Sequence, residues 1–160
     1  MNRITSRVAP ILAALALAAC TTTPAPKTIS QTAASDPRLS TLSRLLDQAD
    51  LTSTLDGAGP FTVFAPTDEA FKAVPPATLD ALMKDKARLK TVLTYHVVPG
   101  ALNSSDLKNG PIRTVQGANL ALYKSGTFVT VEEAVVTTPD VRASNGVIQV
   151  VDKVLIPPTR

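Results

Sequence analysis

The stretch FTVFAPTDEAF, from Phe61 to Phe71, predicts a β-strand that leads directly into an α-helix. Its first five residues alternate in the manner of a strand, and Pro66 must end that strand because proline has no backbone N–H to donate. Thr67 can then cap the next helix, with the Asp68 carboxylate favourably placed against the helix N-terminal dipole. We therefore expect one strand to lie between helices.

Amphipathic helices are predicted on both sides of this strand. Upstream, Asp36 followed by Pro37 favours a helix start. The apolar face of that helix consists of Leu39, Leu42, Leu45, Leu46 and Ala49. Downstream, Pro75 and Pro76 end one helix and start another, and a further helix begins at Asp85. The apolar face of this last helix consists of Leu89, Val92, Leu93 and His96, so His96 is predicted on the buried side.

After Gly100 the sequence becomes rich in β-branched residues broken by turn signals, which predicts a series of antiparallel strands. Asn145 and Gly146 suit a tight turn that needs positive φ, and the run 147–156 after them is the most strand-like in the chain. Asp152 shares strand parity with Ile148 and should face the same layer. Helices first and strands afterwards predict an α+β domain rather than a doubly wound nucleotide-binding fold.

Composition and charge exclude several classes of function. Aromatic residues make up 4% of the chain and Trp is absent, so stacking platforms for bases are not expected. The net charge is +3, and removal of Arg3 and Arg7 with the N-terminal segment discussed next leaves 14 basic residues against 13 acidic, or +1. Binding to a nucleic acid backbone needs many cations on one surface, so nucleic acid is not an expected partner.

Residues 1–20, MNRITSRVAPILAALALAAC, have the basic start, short apolar stretch and small final residues of an export signal. Their end, LAAC, resembles the lipobox of bacterial lipoproteins, in which the cysteine is diacylated and the chain is cut just before it. Cys20 is the single cysteine of the chain, so it is the predicted lipid attachment site and no intrachain disulfide is possible. Two or three acyl chains imply stable membrane anchoring.

These features divide the chain into a signal peptide at 1–19, a lipidated cysteine with a flexible tether at 20–35, and a folded domain at 36–160. The tether prediction rests on residues 21–35, which are rich in Thr, Ala, Ser and Pro without an apolar period. By resemblance to Gram-negative lipoproteins, Thr21 fits sorting to the outer membrane. The expected location is an envelope membrane, facing the periplasm or the cell surface.

The chain offers little that resembles a catalytic or cofactor site. A nucleophile needs a base to activate it, yet the single His lies on an apolar helix face and the single Cys is assigned to lipid. One His with no spare Cys is a poor zinc site, and no glycine-rich phosphate motif is present. We therefore predict no catalytic residues, metal or cofactor.

Three ordered motifs resemble the fasciclin domain family: FTVFAPTDEAF at 61–71, YHVVPG at 95–100 and ASNGVIQVVDKVLIP at 143–157. The resemblance covers about residues 36–158 and implies a wedge of antiparallel, sandwich-like β-sheets with several flanking helices. The positions that match the family's motifs are Thr67, Asp68, Tyr95, His96, Asn145, Gly146 and Asp152. The chain departs from the family at Gln149, where many members carry histidine, and around Pro139 to Arg142, where animal relatives carry integrin-binding segments.

The resemblance implies a non-catalytic module for adhesion, here with a protein or polysaccharide of the envelope as partner. The alternative is a carrier or sensor that binds a small apolar or lipid ligand between helices and sheet. An envelope hydrolase that uses Asp68 or Asp152 is a third hypothesis. The motif residues are candidate interaction residues, although His96 also fits a hydrogen-bonded core histidine and Asp152 a carboxylate bound by backbone amides.

Overall fold

A computed structural model describes residues 25–158. Six α-helices are present in this range, and a short 3₁₀ turn at Pro37–Leu39 precedes the second. The helices are α1 Ile29–Ser35, α2 Ser40–Gln48, α3 Thr52–Leu55, α4 Asp68–Ala73, α5 Pro76–Lys84 and α6 Lys86–Tyr95. None of these helices has the length and apolar character needed to cross a bilayer.

Seven strands form one continuous sheet in the order β2-β1-β7-β6-β5-β4-β3. The strands are β1 Phe61–Pro66, β2 Val97–Pro99, β3 Gly110–Arg113, β4 Asn119–Ser125, β5 Phe128–Val131, β6 Ala134–Ala143 and β7 Gly146–Val151. Just after β3, the Val115 N–H donates to the Val97 carbonyl of β2 at 2.8 Å, so the two edge strands approach and the sheet nearly closes into a barrel. The predicted α+β class is confirmed.

The parallel pair β1 and β7 stands second and third in the sheet and is central to the domain, with Phe61 opposite Gly146 and Pro66 opposite Val151. The other strand pairs are antiparallel. Apart from their first residues, both central strands are buried along their whole length, as expected for strands covered on both faces. The two strands therefore contribute side chains to two separate cores.

The first core lies under the helices and takes Val63 and Ala65 from β1 together with Ile148 and Val150 from β7. The second core lies inside the curved half of the sheet and takes the alternate side chains, among them Phe64 and Val151. Most of its other members are strand residues such as Leu120, Leu122, Val129 and Val131, and Tyr95 of α6 joins them. Alternation along two central strands thus joins both cores into one domain.

The helices lie close to their predicted positions. The five apolar residues of the first predicted face, Leu39 to Ala49, are all buried, and the Asp36 side chain accepts from the Arg38 N–H to cap the 3₁₀ turn. The Arg38 guanidinium holds the pKa of Asp36 below its usual range. The helix predicted to begin at Asp85 is α6, and the Asp85 side chain caps it. The apolar faces at 3.6-residue spacing therefore located α2 and α6 correctly.

The predicted flexible tether is wrong over its second half. Ile29–Ser35 form α1, which Thr28 and Gln31 begin with a capping box, and Ile29 and Ala33 are 1% exposed in the first core. The composition of this helix, ISQTAAS, did not predict it because only Ile29 and Ala33 are buried apolar residues. The helix is stabilised by their tertiary packing rather than by its own sequence. The predicted signal peptide and Cys20 lie outside the described residues.

Candidate functional site

Asn145 holds three separate segments together at the start of β7. Its Oδ1 accepts from the Ile29 N–H of α1 at 3.0 Å, and its Nδ2 donates to the carbonyls of Leu55 and Gly57. Its own carbonyl accepts from the Phe61 N–H at 3.1 Å, at the start of β1. Asn145 therefore has a structural role as the hydrogen-bonding centre of this end of the domain.

Gly146 is required for close approach rather than for an unusual backbone conformation. The prediction of a turn with positive φ at 145–146 is wrong, since neither residue has positive φ. Instead, a Cβ at Gly146 would overlap the Phe61 carbonyl oxygen and come within 2.8 Å of Ile29 Cδ1. Neighbouring β1 and the packed α1 leave no space for a side chain here.

Thr67 and Asp68 organise the two helices that meet at the end of β1. The Thr67 hydroxyl accepts from the Ala70 N–H at 3.2 Å, which confirms the predicted cap of α4. Asp68 accepts from the Ser40 hydroxyl at 2.6 Å and the Thr41 N–H at 2.8 Å, both in the first turn of α2. Burial raises the pKa of the Asp68 carboxyl, but these hydrogen bonds outweigh burial and hold the pKa below its ordinary value.

His96 is a core histidine that joins the end of α6 to the segment after β7. It is 1% exposed, which confirms its predicted burial. Its Nε2 accepts from the Leu155 N–H at 2.9 Å, so Nδ1 carries the proton and donates to the Val92 carbonyl at 2.8 Å. Burial lowers the pKa of His96 to about 4, against the opposing effect of the Val92 carbonyl. The imidazole is therefore neutral at pH 7 and has both nitrogens occupied.

Tyr95, its neighbour in the motif, is buried in the second core. Its hydroxyl donates to the Asn119 carbonyl at 3.3 Å, at the start of β4. Burial raises the pKa of Tyr95, and the nearby Glu132 carboxylate raises it further. Tyr95 and His96 thus anchor the end of α6 to opposite sides, one to the sheet and one to the C-terminal segment.

Asp152 does not face the core layer that strand parity predicted. β7 ends at Val151, the chain bends at Asp152, and the side chain is exposed. Its Oδ1 accepts from the Val135 N–H at 2.7 Å, and its own N–H donates to the Val135 carbonyl at 3.1 Å. The carboxylate therefore extends the pairing of β6 and β7 by one position, as in the structural interpretation of this residue.

Sequence reasoning missed a buried polar network built on Gln149. Gln149 is 0% exposed in β7, and its amide donates to the Leu102 carbonyl at 3.2 Å and to Asp140 Oδ1 at 3.0 Å. Asp140, at φ 58° in a bulge of β6, also accepts from the Ser104 N–H at 2.6 Å. Burial raises the pKa of Asp140, but hydrogen bonds from Ser104 and Gln149 outweigh burial and leave it lowered. The departure of Gln149 from the family's histidine was the available signal.

The motif residues do not converge on one reactive centre. Asn145 and Gly146 lie at the beginning of β7, whereas Thr67 and Asp152 lie near its end, where the Thr67 N–H donates to the Val151 carbonyl. In the described part of the chain, no group of three His, Cys, Asp or Glu residues is arranged to hold a metal ion. Each motif side chain has a structural partner, so the arrangement positions backbone segments rather than a substrate.

Two aromatic side chains are exposed side by side on the outer face of the sheet. Tyr123 is 62% exposed on β4 and Phe128 is 70% exposed on β5, while Val135 of β6 is 38% exposed. Thr130 of β5 lies opposite Tyr123 on one side and Val135 on the other. Phe128 is two residues before Thr130 on β5, so its side chain points to the same face. We call Tyr123, Phe128 and Val135 the hairpin patch. The chain's other four aromatic residues are buried or half-buried.

Two larger depressions lie at opposite ends of β7. A groove of about 960 Å³ is bounded by α5, α6, the turn at 116–119 and the segment 156–158 that follows β7. A shallow basin of about 640 Å³ lies where β7 begins, between the loops at 58–60, 101–103 and 142–147. Between helices and sheet, by contrast, the cavity beside His96 measures only about 10 Å³. That space holds no more than about one water molecule, so this cavity, as the described residues form it, is too small for a ligand.

The sequence profile of the fasciclin domain matches residues 37–157, which is most of the chain. The chain belongs to the fasciclin domain family. Helix α1, at Ile29–Ser35, precedes the matched residues and packs into the first core.

Relatives of this fasciclin domain occur in bacteria and animals. Over 133 residues the chain is 42% identical to protein sll1483 of Synechocystis. This match covers 82% of this chain and 74% of the relative. It is 36% identical to the cell surface glycolipoprotein MPB83 of Mycobacterium bovis over 82% of this chain and 61% of that protein. Human periostin is 34% identical over 137 residues, and this match covers 84% of this chain but only 16% of periostin.

A solved structure supports the fold independently of close sequence similarity. The FAS1 domain pair from the insect cell adhesion molecule fasciclin I matches with a TM-score of 0.67 at 19% identity. The match covers 82% of this chain and 51% of that one. At this identity the likeness shows the fasciclin fold, and the predicted family resemblance is confirmed by the profile.

Proposed function

We propose that this chain is an exported bacterial lipoprotein that is anchored through Cys20 and presents a non-catalytic fasciclin domain to a protein partner in the cell envelope. The LAAC lipobox with its single cysteine supports the anchor, and Thr21 favours the outer membrane. One relative, MPB83, is named a cell surface glycolipoprotein. The family also includes proteins named for cell adhesion, such as fasciclin I.

The observation that carries the interaction role is the hairpin patch. Exposed neighbouring aromatic side chains on a strand pair give a large contact area with little conformational entropy to lose, which favours protein interfaces. Of two Tyr and four Phe in the chain, Tyr123 and Phe128 are the two left exposed among the described residues. The proposed partner therefore contacts β4 and β5 through apolar and aromatic groups.

The motif carboxylates support a non-catalytic role. Asp68 accepts two hydrogen bonds from the start of α2, and Asp152 accepts from the backbone of β6. A hydrolase that used either would have to break a bond that holds the fold together. We infer that these residues serve the architecture of the fasciclin domain, which leaves its surface to vary for binding.

The anchor is tested by Cys20→Ser. We expect this variant to remain unacylated and uncut, because both the lipid and the cleavage beside it depend on the cysteine thiol. Thr22→Ser is the matched control and should remain membrane-bound. Acylation, measured by incorporation of labelled palmitate, together with membrane fractionation, decides the matter. A Cys20→Ser protein that is still acylated would refute the anchor.

The partner surface is tested by the double variant Tyr123→Ser and Phe128→Ser in pull-downs from envelope fractions. We expect it to lose a partner that the unaltered protein retains, since it removes the aromatic contact area of the hairpin patch. The matched control, Met83→Ser with Ile156→Ser, changes exposed apolar residues elsewhere and should keep the partner. If both variants retained the partner equally, the hairpin patch would not be the contact surface. If the unaltered protein retained only polysaccharide, the partner would not be a protein.

The second candidate function is binding of a small apolar or lipid ligand. The groove favours it, since Ala77, Ala81, Leu82, Val92 and Ile156 provide an apolar lining with Arg88 at the side. Such a ligand would lie in the open groove, because the interior cavity is too small. Native mass spectrometry should then detect co-purified lipid that Ala81→Phe removes by filling the groove. A protein that carries no lipid, with or without that substitution, would exclude this function.

A further inference from the structure

The position of α1 restricts how the domain can sit on its membrane. The chain becomes fixed at Lys27, whose carbonyl accepts from the Ser144 N–H at 2.7 Å, and Thr28 caps α1 immediately afterwards. The Ile29 N–H donates to Asn145 at 3.0 Å, and the Ile29 side chain lies in the first core. Cys20 and Lys27 are therefore separated by six residues rather than by the fifteen of the predicted tether.

Covalent geometry limits the reach of this connection whatever conformation it adopts. Seven Cα–Cα steps span at most roughly 24 Å at the extended limit of about 3.5 Å per residue. A domain of this size has a radius of gyration of about 14 Å and is roughly 35 Å across. The connection is thus shorter than the domain, so the end that carries Lys27 must remain near the lipid headgroups.

The structure identifies which surface that end presents. Lys27 is bonded to Ser144 of the basin rim, beside the loop at 58–60 and Arg142. Arg142 is exposed on the basin rim beside the Asp140 carboxylate, and Lys27 is exposed next to it with its ammonium bonded to Ser35, so this end offers two cationic side chains to anionic headgroups. The groove lies on the other side, since it is formed by the chain that follows the far end of β7.

We propose that the basin end of the domain, formed by the loops at 58–60, 101–103 and 142–147, is its membrane-facing surface, with the lipid headgroup layer as its occupant. The groove then faces away from the anchoring membrane. This inference rests on the lipid anchor proposed at Cys20. It replaces a domain that tumbles freely on a long tether with one whose orientation is set by a short connection and the docked α1.

Site-specific labelling of the acylated full chain tests this orientation. Acylation occupies Cys20, so a cysteine introduced at an exposed position is the single free thiol for a fluorophore. Ser144→Cys labels the basin rim and Gln116→Cys labels the groove, both in place of exposed polar residues. Each protein is reconstituted into vesicles of phosphatidylethanolamine and phosphatidylglycerol that contain lipids with a quencher on the headgroup.

We expect several-fold stronger quenching at position 144 than at position 116. Insertion of 20 Gly and Ser residues between Thr23 and Pro24 should abolish the difference, because it adds roughly 70 Å of reach. Equal quenching at the two positions in the unaltered connection, or stronger quenching at 116, would overturn the orientation while leaving the anchor intact. Labelled protein that does not sediment with vesicles would instead refute the anchor, and the orientation with it.

Discussion

His96 shows how a single side chain can serve the fold through its neutral form. Both ring nitrogens are used, since Nδ1–H donates to Val92 and Nε2 accepts from Leu155. Protonation would turn Nε2 into a donor that faces the Leu155 N–H. The motif histidine is therefore incompatible with general acid–base work at pH 7 and is instead a link between α6 and the C-terminal segment.

This chemistry predicts a pH dependence of stability. The pKa of His96 falls from 6.5 in the unfolded chain to about 4 in the fold, so the unfolded state binds more protons between these values. Stability is therefore fully present above pH 6.5 and declines as pH falls towards 4, by on the order of 3 kcal/mol at 1.36 kcal/mol per pKa unit. Urea unfolding from pH 7.5 to 4.5 measures this decline.

His96→Gln is the control for the pH range between 6.5 and about 4, because the chain has no other histidine. Its unfolding free energy should be lower at pH 7.5 and nearly independent of pH down to 4.5. The lowered carboxyl pKa values of Asp36, Asp68 and Asp140 add a further loss of stability only as pH falls below about 4. A His96→Gln protein with the same pH dependence as the unaltered chain would contradict the assignment.

Gly146 gives a second prediction at the scale of one residue. Gly146→Ala should lower the free energy of unfolding by about 3 kcal/mol, because its Cβ meets the Phe61 backbone, which cannot move without disturbing the β1–β7 pair. Gly126→Ala is the comparison: a Cβ there meets open space and is strained only by φ +61°, at about 1 kcal/mol. Chemical denaturation of both variants checks the order, which equal losses would contradict.

At the scale of the element, α1 is part of the fasciclin domain and not of the connection to the membrane. It is only seven residues long and would not be stable alone. It persists because Ile29 enters the first core and its backbone N–H is bonded to Asn145. A segment that the family profile leaves out thus completes the core and fixes where the chain leaves the domain.

Ile29→Ala should therefore destabilise the domain by about 2 to 5 kcal/mol, as expected for a large apolar side chain removed from a core. The matched control is Ala34→Ser on the exposed side of α1, which should change stability by less than about 0.5 kcal/mol. Thermal and urea unfolding measure both. If α1 were a tether, the two substitutions would have equally small effects.

At the scale of the whole molecule, the two cores should unfold together. β1 and β7 contribute side chains to both, so neither core can open without exposing the other side of the same strands. We predict that Leu42→Ala in the first core and Leu122→Ala in the second each lower the midpoint temperature of one common unfolding transition. Far-UV circular dichroism follows the helices over the first core, and Tyr95 fluorescence follows the second.

Coincident transitions by the two signals would support this single cooperative unit. The absence of Trp makes tyrosine emission measurable, and Tyr123→Phe removes the contribution of the exposed tyrosine. Transitions that separate, or a substitution that shifts only one signal, would show that the cores behave as independent units.

The α+β class, the apolar helix faces, the cap at Thr67, the helix start at Asp85 and the family could all be predicted from the amino-acid sequence. Each of these depends on spacing or on contacts between neighbours in the chain, which periodicity and capping chemistry record directly. The profile match and the burial of the predicted helix faces confirm these points.

The remaining features could not be predicted from the sequence, because they depend on residues that lie far apart in the chain. Gly146 is needed where Phe61 approaches, Asp152 bonds to Val135, and α1 exists because Ile29 finds a core built by later segments. No local pattern encodes these distances. Packing around β1 and β7 gives Asn145, Tyr95 and His96 hydrogen-bond partners that are distant in the sequence.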